Sequence, residues 1–315
     1  MTAVLHSFEG ILTILIIIMT GFVLSKKGWF SDDSVSLISR LVTNVTLPTY
    51  MMSMLLVSFT RDSLLHLVHG LPIPVLSMTI GYCMGHLVAR LIHVHPARRG
   101  IFSSVFFLSN TIFIGLPLTL ALFDESAVPS VMVYYMANTT FFWVLVAHDI
   151  AVDGQGGIAP PLLSMKTLKS VISPPLLGFI FGVLFLLLGW TLPQPILKAF
   201  KYIGGMTTPL AMIFIGIAIS KYRWADIHLD REVVLAVLGR YVFSPLLVLA
   251  LVPFFPVPVL MKQVFVMLAA MPAMTNTSIV AKYYGADYQY AAMLTVITTC
   301  LAIVVIPFYM WVLQG

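Results

Sequence analysis

The chain has 315 residues, of which 60% are hydrophobic and only 9% are charged. A soluble globular domain carries about 25% charged residues, so this chain has too little charge to cover a water-facing surface, and its apolar residues must face lipid. The net charge of +5 is spread over short segments instead of forming a basic stripe, which argues against a nucleic-acid partner.

Ten apolar runs follow one another along the chain. At ~20 residues per spanning helix, a chain of this length holds roughly ten helices and little else. Each run should be helical, because backbone exposed to lipid must satisfy its hydrogen bonds within its own segment. The sequence therefore predicts an all-α membrane protein with ten transmembrane helices, near residues 4–25, 35–58, 71–91, 101–122, 128–150, 171–190, 197–219, 233–252, 263–283 and 289–312.

Lysine and arginine are unevenly distributed over the loops between these predicted helices. The loops after helices 1, 3, 5, 7 and 9 hold eleven of them, and the loops after helices 2, 4, 6 and 8 hold four. Positive loops stay on the cytoplasmic side of a membrane. We therefore expect the odd-numbered loops in the cytoplasm and both termini outside.

The longest connection, around 152–161, divides the chain into five predicted helices plus five. Halves with an odd number of helices insert with opposite topology, which is the arrangement of an inverted repeat. Internal similarity supports a 5+5 inverted repeat, since TLPTYMM in helix 2 falls on TTPLAM in helix 7, with Pro48 and Pro209 offset by 161. The predicted organisation is a first repeat over 1–151, a cytoplasmic linker over 152–170 and a second repeat over 171–315.

Predicted helices 4 and 9 each combine helix-breaking and polar residues at mid-depth. Proline removes a backbone donor and glycine lowers the cost of leaving the helix, so both helices are expected to be broken there. One such break could be a kink patched by neighbouring helices, but two at equivalent positions of an inverted repeat indicate a substrate site near the bilayer midplane. The candidate substrate-binding residues are Asn110, Thr111, Gly115 and Pro117 in helix 4, and Pro272, Thr275, Asn276 and Thr277 in helix 9.

The breaks also indicate the charge of the substrate. Each break exposes a half-helix N-terminus, whose free N–H groups and partial positive charge favour anions. Asn110 and Asn276 could add amide donors, and neither break carries an acidic side chain that would suit a cation. A small carboxylate is the ligand that this pattern favours.

Four charged or titratable residues within predicted helices are candidates for the substrate path or for coupling. Arg40 and Arg240 are expected to reach the inner membrane interface with their guanidinium groups, and a role in the substrate path is the alternative. Glu9 and His86 either have packing or interface roles or take part in coupling to a proton.

Two further asparagines, Asn44 in helix 2 and Asn138 in helix 5, either face the substrate cavity or bond to neighbouring helices. The sequence has no HExxH motif, no paired intramembrane aspartates and no phosphate-binding glycine loop. We therefore expect no catalytic activity, no metal and no cofactor, and we expect any energy to come from ion gradients.

Several of these motifs resemble the bacterial branch of the auxin efflux carrier family. The resemblance rests on NTIFIGLPL in helix 4 and AMPAMTNTSIVAKYYGADYQYAAMLTVITTCLAIVVIPF in helices 9 and 10, and the prolines of helices 2 and 7 agree with it. It implies a scaffold of helices 1, 2, 6 and 7 that forms a homodimer. It also implies a transport domain of helices 3–5 and 8–10, in which helices 4 and 9 cross and Asn110 and Asn276 hold the substrate carboxylate.

The resemblance also implies a function. Bacterial members of the family are associated with malonate and malate uptake, and helix 4 through NTTFFW in helix 5 is most similar to the malonate permease group. We expect a secondary transporter of such a dicarboxylate in the bacterial inner membrane, without a sodium requirement and either coupled to a proton or uncoupled. Export of an aromatic or monocarboxylic acid, and a receptor that does not transport, remain the alternatives.

Overall fold

The computed structural model describes residues 2–60, 69–155, 174–221 and 229–314. In these ranges the chain is helical throughout, with no β-strand and a single isolated β-bridge. The predicted all-α fold is confirmed. Most of the predicted linker over 152–170 lies outside the described residues.

The helices of the first half of the chain are, in order, α1 (Thr2–Lys26), α2 (Asp32–Leu41), α3 (Leu47–Ser58), α4 (Pro72–Leu91), α5 (Arg99–Phe107), α6 (Leu116–Phe123), α7 (Val128–Phe141) and α8 (Ala147–Gly154). Those of the second half are α9 (Pro174–Leu188), α10 (Gln194–Gly205), α11 (Thr207–Lys221), α12 (Arg231–Leu238), α13 (Ser244–Leu251), α14 (Val259–Ala269), α15 (Asn276–Tyr284) and α16 (Tyr288–Gln314). Short π-helical segments precede α3, α6, α8 and α13, at Val42–Thr46, Thr111–Gly115, Phe142–Val146 and Gly239–Phe243.

Capping side chains and left-handed glycines set several helix ends. Ser31 caps α2 by accepting from the backbone N–H of Ser34, and Asp230 caps α12 in the same way. Gly189 and Gly285 directly follow α9 and α15, and Gly28 lies two residues after α1. All three adopt positive φ, a conformation that glycine reaches without a Cβ penalty.

Several helices have the length and apolar character of membrane spans. By these two criteria alone, five continuous stretches could cross a bilayer, namely Pro72–Leu91, Glu125–Gly154, Gln194–Lys221, Arg231–Phe254 and Tyr288–Leu313. Their surfaces carry large exposed apolar side chains, such as Leu246, Val304 and Trp311, as a lipid-facing surface requires.

The chain divides into two compact units. The first comprises Met1–Val68, Leu116–Met132 and Ile172–Tyr222. In it, α1 packs closely on α11, because Gly21 and Gly216 leave no room for a Cβ between the two backbones. Gly178 of α9 packs against Pro48 of α3, where an added Cβ would lie only 2.6 Å from the Pro48 Cα.

The second unit comprises His69–Gly115, Val133–Val171 and Arg223–Gly315. Gly81 and Gly85 let α4 approach α5, where Phe107 and Ser103 fill the space that longer side chains would need. α5 is almost wholly buried in this unit, and so is the second half of α14, from Val264 to Ala269. Both helices stop in its interior, and the candidate site lies where they stop.

Candidate functional site

Two helical stretches of the second unit are interrupted at neighbouring places. α5 ends at Phe107, and residues 108–110 are non-helical before the chain turns helical again at Thr111. α14 ends at Ala269, and residues 270–275 are non-helical before α15. The two interruptions, 108–110 and 270–275, are called the paired break.

The two non-helical segments of the paired break satisfy part of each other's backbone hydrogen bonding. Ser109 and Ala273 form an antiparallel β-bridge, and the Asn110 N–H donates to the Pro272 carbonyl at 2.8 Å. Residues here are buried, so an unpaired backbone group would cost about 1–3 kcal/mol. The pairing is therefore a physical reason why two helices are interrupted together.

Two buried side chains from other helices hold the rest of this backbone. Asn138 of α7 accepts from the Ser109 N–H at 3.1 Å and donates to the Ser109 carbonyl at 2.9 Å. Thr298 of α16 accepts from the Ala273 N–H at 3.1 Å. Asn138 and Thr298 therefore each support the backbone of one side of the paired break.

Asn110 links the two sides of the paired break through its side chain. Its Nδ2 donates to the Thr275 hydroxyl at 2.7 Å, and its Oδ1 accepts from the Phe113 N–H at 3.1 Å. The second contact caps the start of the helical segment that follows. Asn276 begins α15, is half-buried, and makes no side-chain hydrogen bond in the described part of the chain.

The remaining predicted site residues of helix 9 lie in or beside the paired break. Pro272 belongs to it, and Thr277, fully buried in the first turn of α15, shares a 2.7 Å hydrogen bond with the Ser104 hydroxyl of α5. Thr111 begins the helical segment after residues 108–110 and is also buried.

Gly115 and Pro117 were expected at the break in helix 4, and they lie a few residues after it. Gly115 ends the π-helical segment Thr111–Gly115, and Pro117 lies in the first turn of α6. Proline is tolerated early in a helical segment, and a π-helical turn already departs from the regular ladder of hydrogen bonds. The interruption therefore falls earlier, at 108–110, where Asn110 caps the new helix.

Arg240 departs most from its predicted role. It was expected to extend to the membrane interface, but its side chain is fully buried in the π-helical segment between α12 and α13. One guanidinium nitrogen, Nη2, donates to the Ala269 carbonyl at the end of α14. The prediction failed because periodicity of apolar residues does not say which side of a helix faces the interior. Arg40, in the first unit, is exposed.

The other polar candidates are placed separately. Asn44 is exposed in the first unit. His86 of α4 lies 3.2 Å from an Asp149 oxygen through Nε2 and 2.9 Å from the Ser103 hydroxyl through Nδ1. The side chain of Glu9 lies outside the described residues.

Some residues at the paired break were not singled out from the sequence. Ser109 forms the bridge, and the buried phenol of Tyr134 lies close enough to interact with both Ser109 and Arg240. One signal could have found Thr298, because it follows Asn138 by 160 residues, close to the internal offset of 161.

An ionic cluster in the second unit joins Arg98 and Asp287 to the first turn of α12. Arg98 bonds to the Asp287 carboxylate at 2.7 Å and lies 3.5 Å from Glu232. Partial burial alone would lower the pKa of Arg98, but the bond to Asp287 and the two carboxylate charges raise it. Among the described residues, no group of three or more His, Cys, Asp or Glu side chains could hold a metal ion.

Five apolar helical stretches of spanning length, and two shorter helices that end at a buried polar interruption, are typical of a polytopic membrane protein. Residues 6–310 match the family described as "Membrane transport protein", and the chain belongs to that family. The resemblance to the auxin efflux carrier family is thereby confirmed. The protein is a membrane transporter.

Three curated proteins are among its relatives. An "Uncharacterized transporter" of Methanothermobacter thermautotrophicus is 26% identical over 98% of both chains. One of Methanocaldococcus jannaschii is 22% identical over 97% of this chain and 98% of its own. A protein of Rhizobium meliloti named "Putative malonate transporter" is 25% identical over 62% of this chain and 61% of its own.

Proposed function

We propose that this protein is a secondary transporter of small organic anions, in the first place a dicarboxylate such as malonate or malate, and that it binds them at the paired break. The observation that carries the proposal is the meeting of two interrupted helices in one buried place. There Asn110 and Asn276 stand at the starts of the helical segments that resume. Interrupted helices of this kind are where transporters hold their substrates.

The chemistry of the paired break favours an anion. Its residues include no acidic side chain, and the donors there are amides, hydroxyls and the N–H groups of two helix starts. The relative named for malonate adds support for a dicarboxylate, although its similarity covers only 62% of this chain.

Two observations support a ten-helix, 5+5 inverted repeat with alternating access. Thr207 donates to Thr46 at 3.0 Å between buried hydroxyls, and these residues are 161 apart, the same offset that relates Pro48 and Pro209. Asn138 and Thr298, 160 apart, each accept a hydrogen bond from the backbone of one segment of the paired break. A repeat predicts that equivalent residues contact each other or make equivalent contacts.

The finer expectations remain predictions. They are the assignment of helices to a scaffold and a transport domain, the homodimer, coupling to a proton, external termini and a bacterial inner membrane. The relatives come from archaea as well as from a bacterium. Export of an aromatic or monocarboxylic acid and a receptor that does not transport are the competing functions.

Transport by purified protein in liposomes tests the proposal directly. Malonate and malate should enter protein-containing vesicles in a saturable way and compete with each other. If the export alternative holds, an aromatic monocarboxylate should be the better substrate. Saturable binding of these acids without transport of any of them would favour the receptor.

Binding measurements on variants test the site. Loss of a hydrogen bond to a charged group costs ~1.5–3 kcal/mol, or roughly 10- to 150-fold in affinity. We expect Asn110→Ala and Asn276→Ala each to weaken malonate binding by about that factor. Asn276→Ala is the cleaner variant, because the Asn276 side chain has no hydrogen bond to lose within the described protein. Thr140→Ala, at an exposed hydroxyl of α7, is the control. Unchanged affinity in both asparagine variants would move the site elsewhere.

A further inference from the structure

Arg240 is a fully buried cation that contacts the end of α14. Its Nη2 donates to the carbonyl of Ala269, the last residue of that helix before the paired break. The neutral phenols of Tyr134, Tyr241 and Tyr309 surround the guanidinium closely enough to interact with it. Two of these phenols donate to backbone carbonyls, Tyr241 to that of Thr298 and Tyr309 to that of Tyr241.

Among the described residues the guanidinium has no counter-charge. None of their carboxylates lies within ion-pair distance of it. A buried and unpaired charge is expensive, and replacing it by an uncharged side chain of similar volume often leaves a protein as stable or makes it more stable. Arg240 is therefore hard to explain as a residue kept for stability.

The helix ends at the paired break do not supply a net charge by themselves. Each helix start there carries about half a positive charge and each helix end about half a negative charge. Two segments end, at Phe107 and Ala269, and two begin, at Thr111 and Asn276, so these partial charges cancel.

The two helix ends are capped differently by one stretch of chain. Ser244 donates its neutral hydroxyl to the Phe106 carbonyl of α5 at 3.0 Å, and Arg240 donates a charged group to the last carbonyl of α14. The cap on α14 therefore turns a negative helix end into a positive one and leaves the paired break with a net positive charge.

We propose that Arg240 is the specificity-determining charge that makes the paired break select anions, and that it acts through its electric field on the ligand. This inference rests on the proposed function and names the residue that sets the charge of the substrate. A ligand carrying two negative charges should depend on Arg240 twice as strongly, in free energy, as a ligand carrying one.

The size of the effect follows from the distance. Pro272 of the paired break follows Ala269 by three positions in the chain, which span at most ~10 Å. Across about that distance, and at an effective dielectric constant of ~20, one unit charge changes the affinity for a monoanion on the order of tenfold. For a dianion the change is on the order of a hundredfold.

The test measures the dissociation constants of malonate and of its monomethyl ester at neutral pH with purified protein. The ester has the same skeleton and one negative charge instead of two. The variants are R240Q, whose amide can still donate to the Ala269 carbonyl, and R240K, which keeps the charge. R231M is the matched control, because Arg231 is exposed and begins the same apolar stretch of helix.

We expect R240Q to weaken malonate binding about ten times more than it weakens binding of the ester, with the unfolding temperature unchanged or raised. R240K should restore most of the preference for malonate, and R231M should match the wild type. Equal weakening of both ligands by R240Q, or none, would overturn the inference while the proposed function stands. If R240Q did not fold, the test would rest on R240K. Loss of the preference for malonate in R240K would overturn the inference, and a retained preference would support it. A wild-type protein that bound neither ligand would refute the dicarboxylate proposal and this inference with it.

Discussion

Replacing Asn138 by leucine should loosen the paired break with little change in packing volume. Asn138 is completely buried, and its side chain makes hydrogen bonds to both backbone groups of Ser109. Leucine has a similar volume and no polar atom, so the variant removes these bonds and creates no cavity.

The cost can be worked out from the partners that remain. The Ser109 N–H would have none, which costs about 1–3 kcal/mol for a buried group. The Ser109 carbonyl would keep its contact with the Thr111 N–H at 3.0 Å, so its loss is that of one ordinary hydrogen bond, about 1 kcal/mol. We therefore expect Asn138→Leu to lower the free energy of unfolding by about 2–4 kcal/mol.

Thermal unfolding of the purified protein in detergent measures this loss, and amide hydrogen exchange locates it. Exchange should speed up in the peptides that contain residues 108–110 and 270–275 before it does in α1 or α11. Thr298→Val, which removes one bond to the Ala273 N–H, should cost less, and Thr140→Val, at an exposed hydroxyl, should cost almost nothing. An Asn138→Leu protein within about 0.5 kcal/mol of the wild type would refute the reasoning, because such a change is typical of an ordinary surface site.

Two further predictions concern packing and charge. Gly216→Ala should destabilise the first unit by about 1–3 kcal/mol, since a methyl group there would overlap the backbone of α1. In the same unfolding assay Gly205→Ala should be neutral or stabilising, because a methyl group at Gly205 meets nothing within 4 Å. Asp287→Asn should cost under about 1 kcal/mol, because it loses a partly exposed ion pair but can still cap α16. Asp287→Ala should cost about 1 kcal/mol more, because it loses the cap as well. Equal unfolding temperatures for the two variants would contradict this.

The sequence was sufficient to predict that the helices containing Asn110 and Pro272 are interrupted, because proline, glycine and small polar residues are rare together in the middle of an apolar run. It was not sufficient to place the first interruption. Leu108 and Ser109 are ordinary helix residues, and they leave the helix because Ala273 and Asn138 offer their backbone other partners. A tertiary contact of this kind has no local signature.

The orientation of side chains around a helix was the other limit. Arg240 lies in an apolar run, where an interface position is the ordinary expectation for arginine. Its burial depends on the rotation of that run toward α14 and on the tyrosines that surround it. Lipid-facing and interior positions are both apolar here, so composition alone gives no rotation angle.

The two asparagines at the helix starts that follow the paired break are bonded differently in the structure. Asn110 uses its amide nitrogen on Thr275 and its oxygen on Phe113, so contact with a substrate there requires an existing bond to be shared or exchanged. Asn276 has no such bond within the described ranges and starts α15 with its amide free. A ligand would therefore find the amide of Asn276 available, whereas the amide of Asn110 is part of the link between the two segments of the paired break. Binding at Asn110 would weaken that link at the moment when the substrate is held, which gives substrate binding a direct physical way to change how firmly the two interrupted helices are joined.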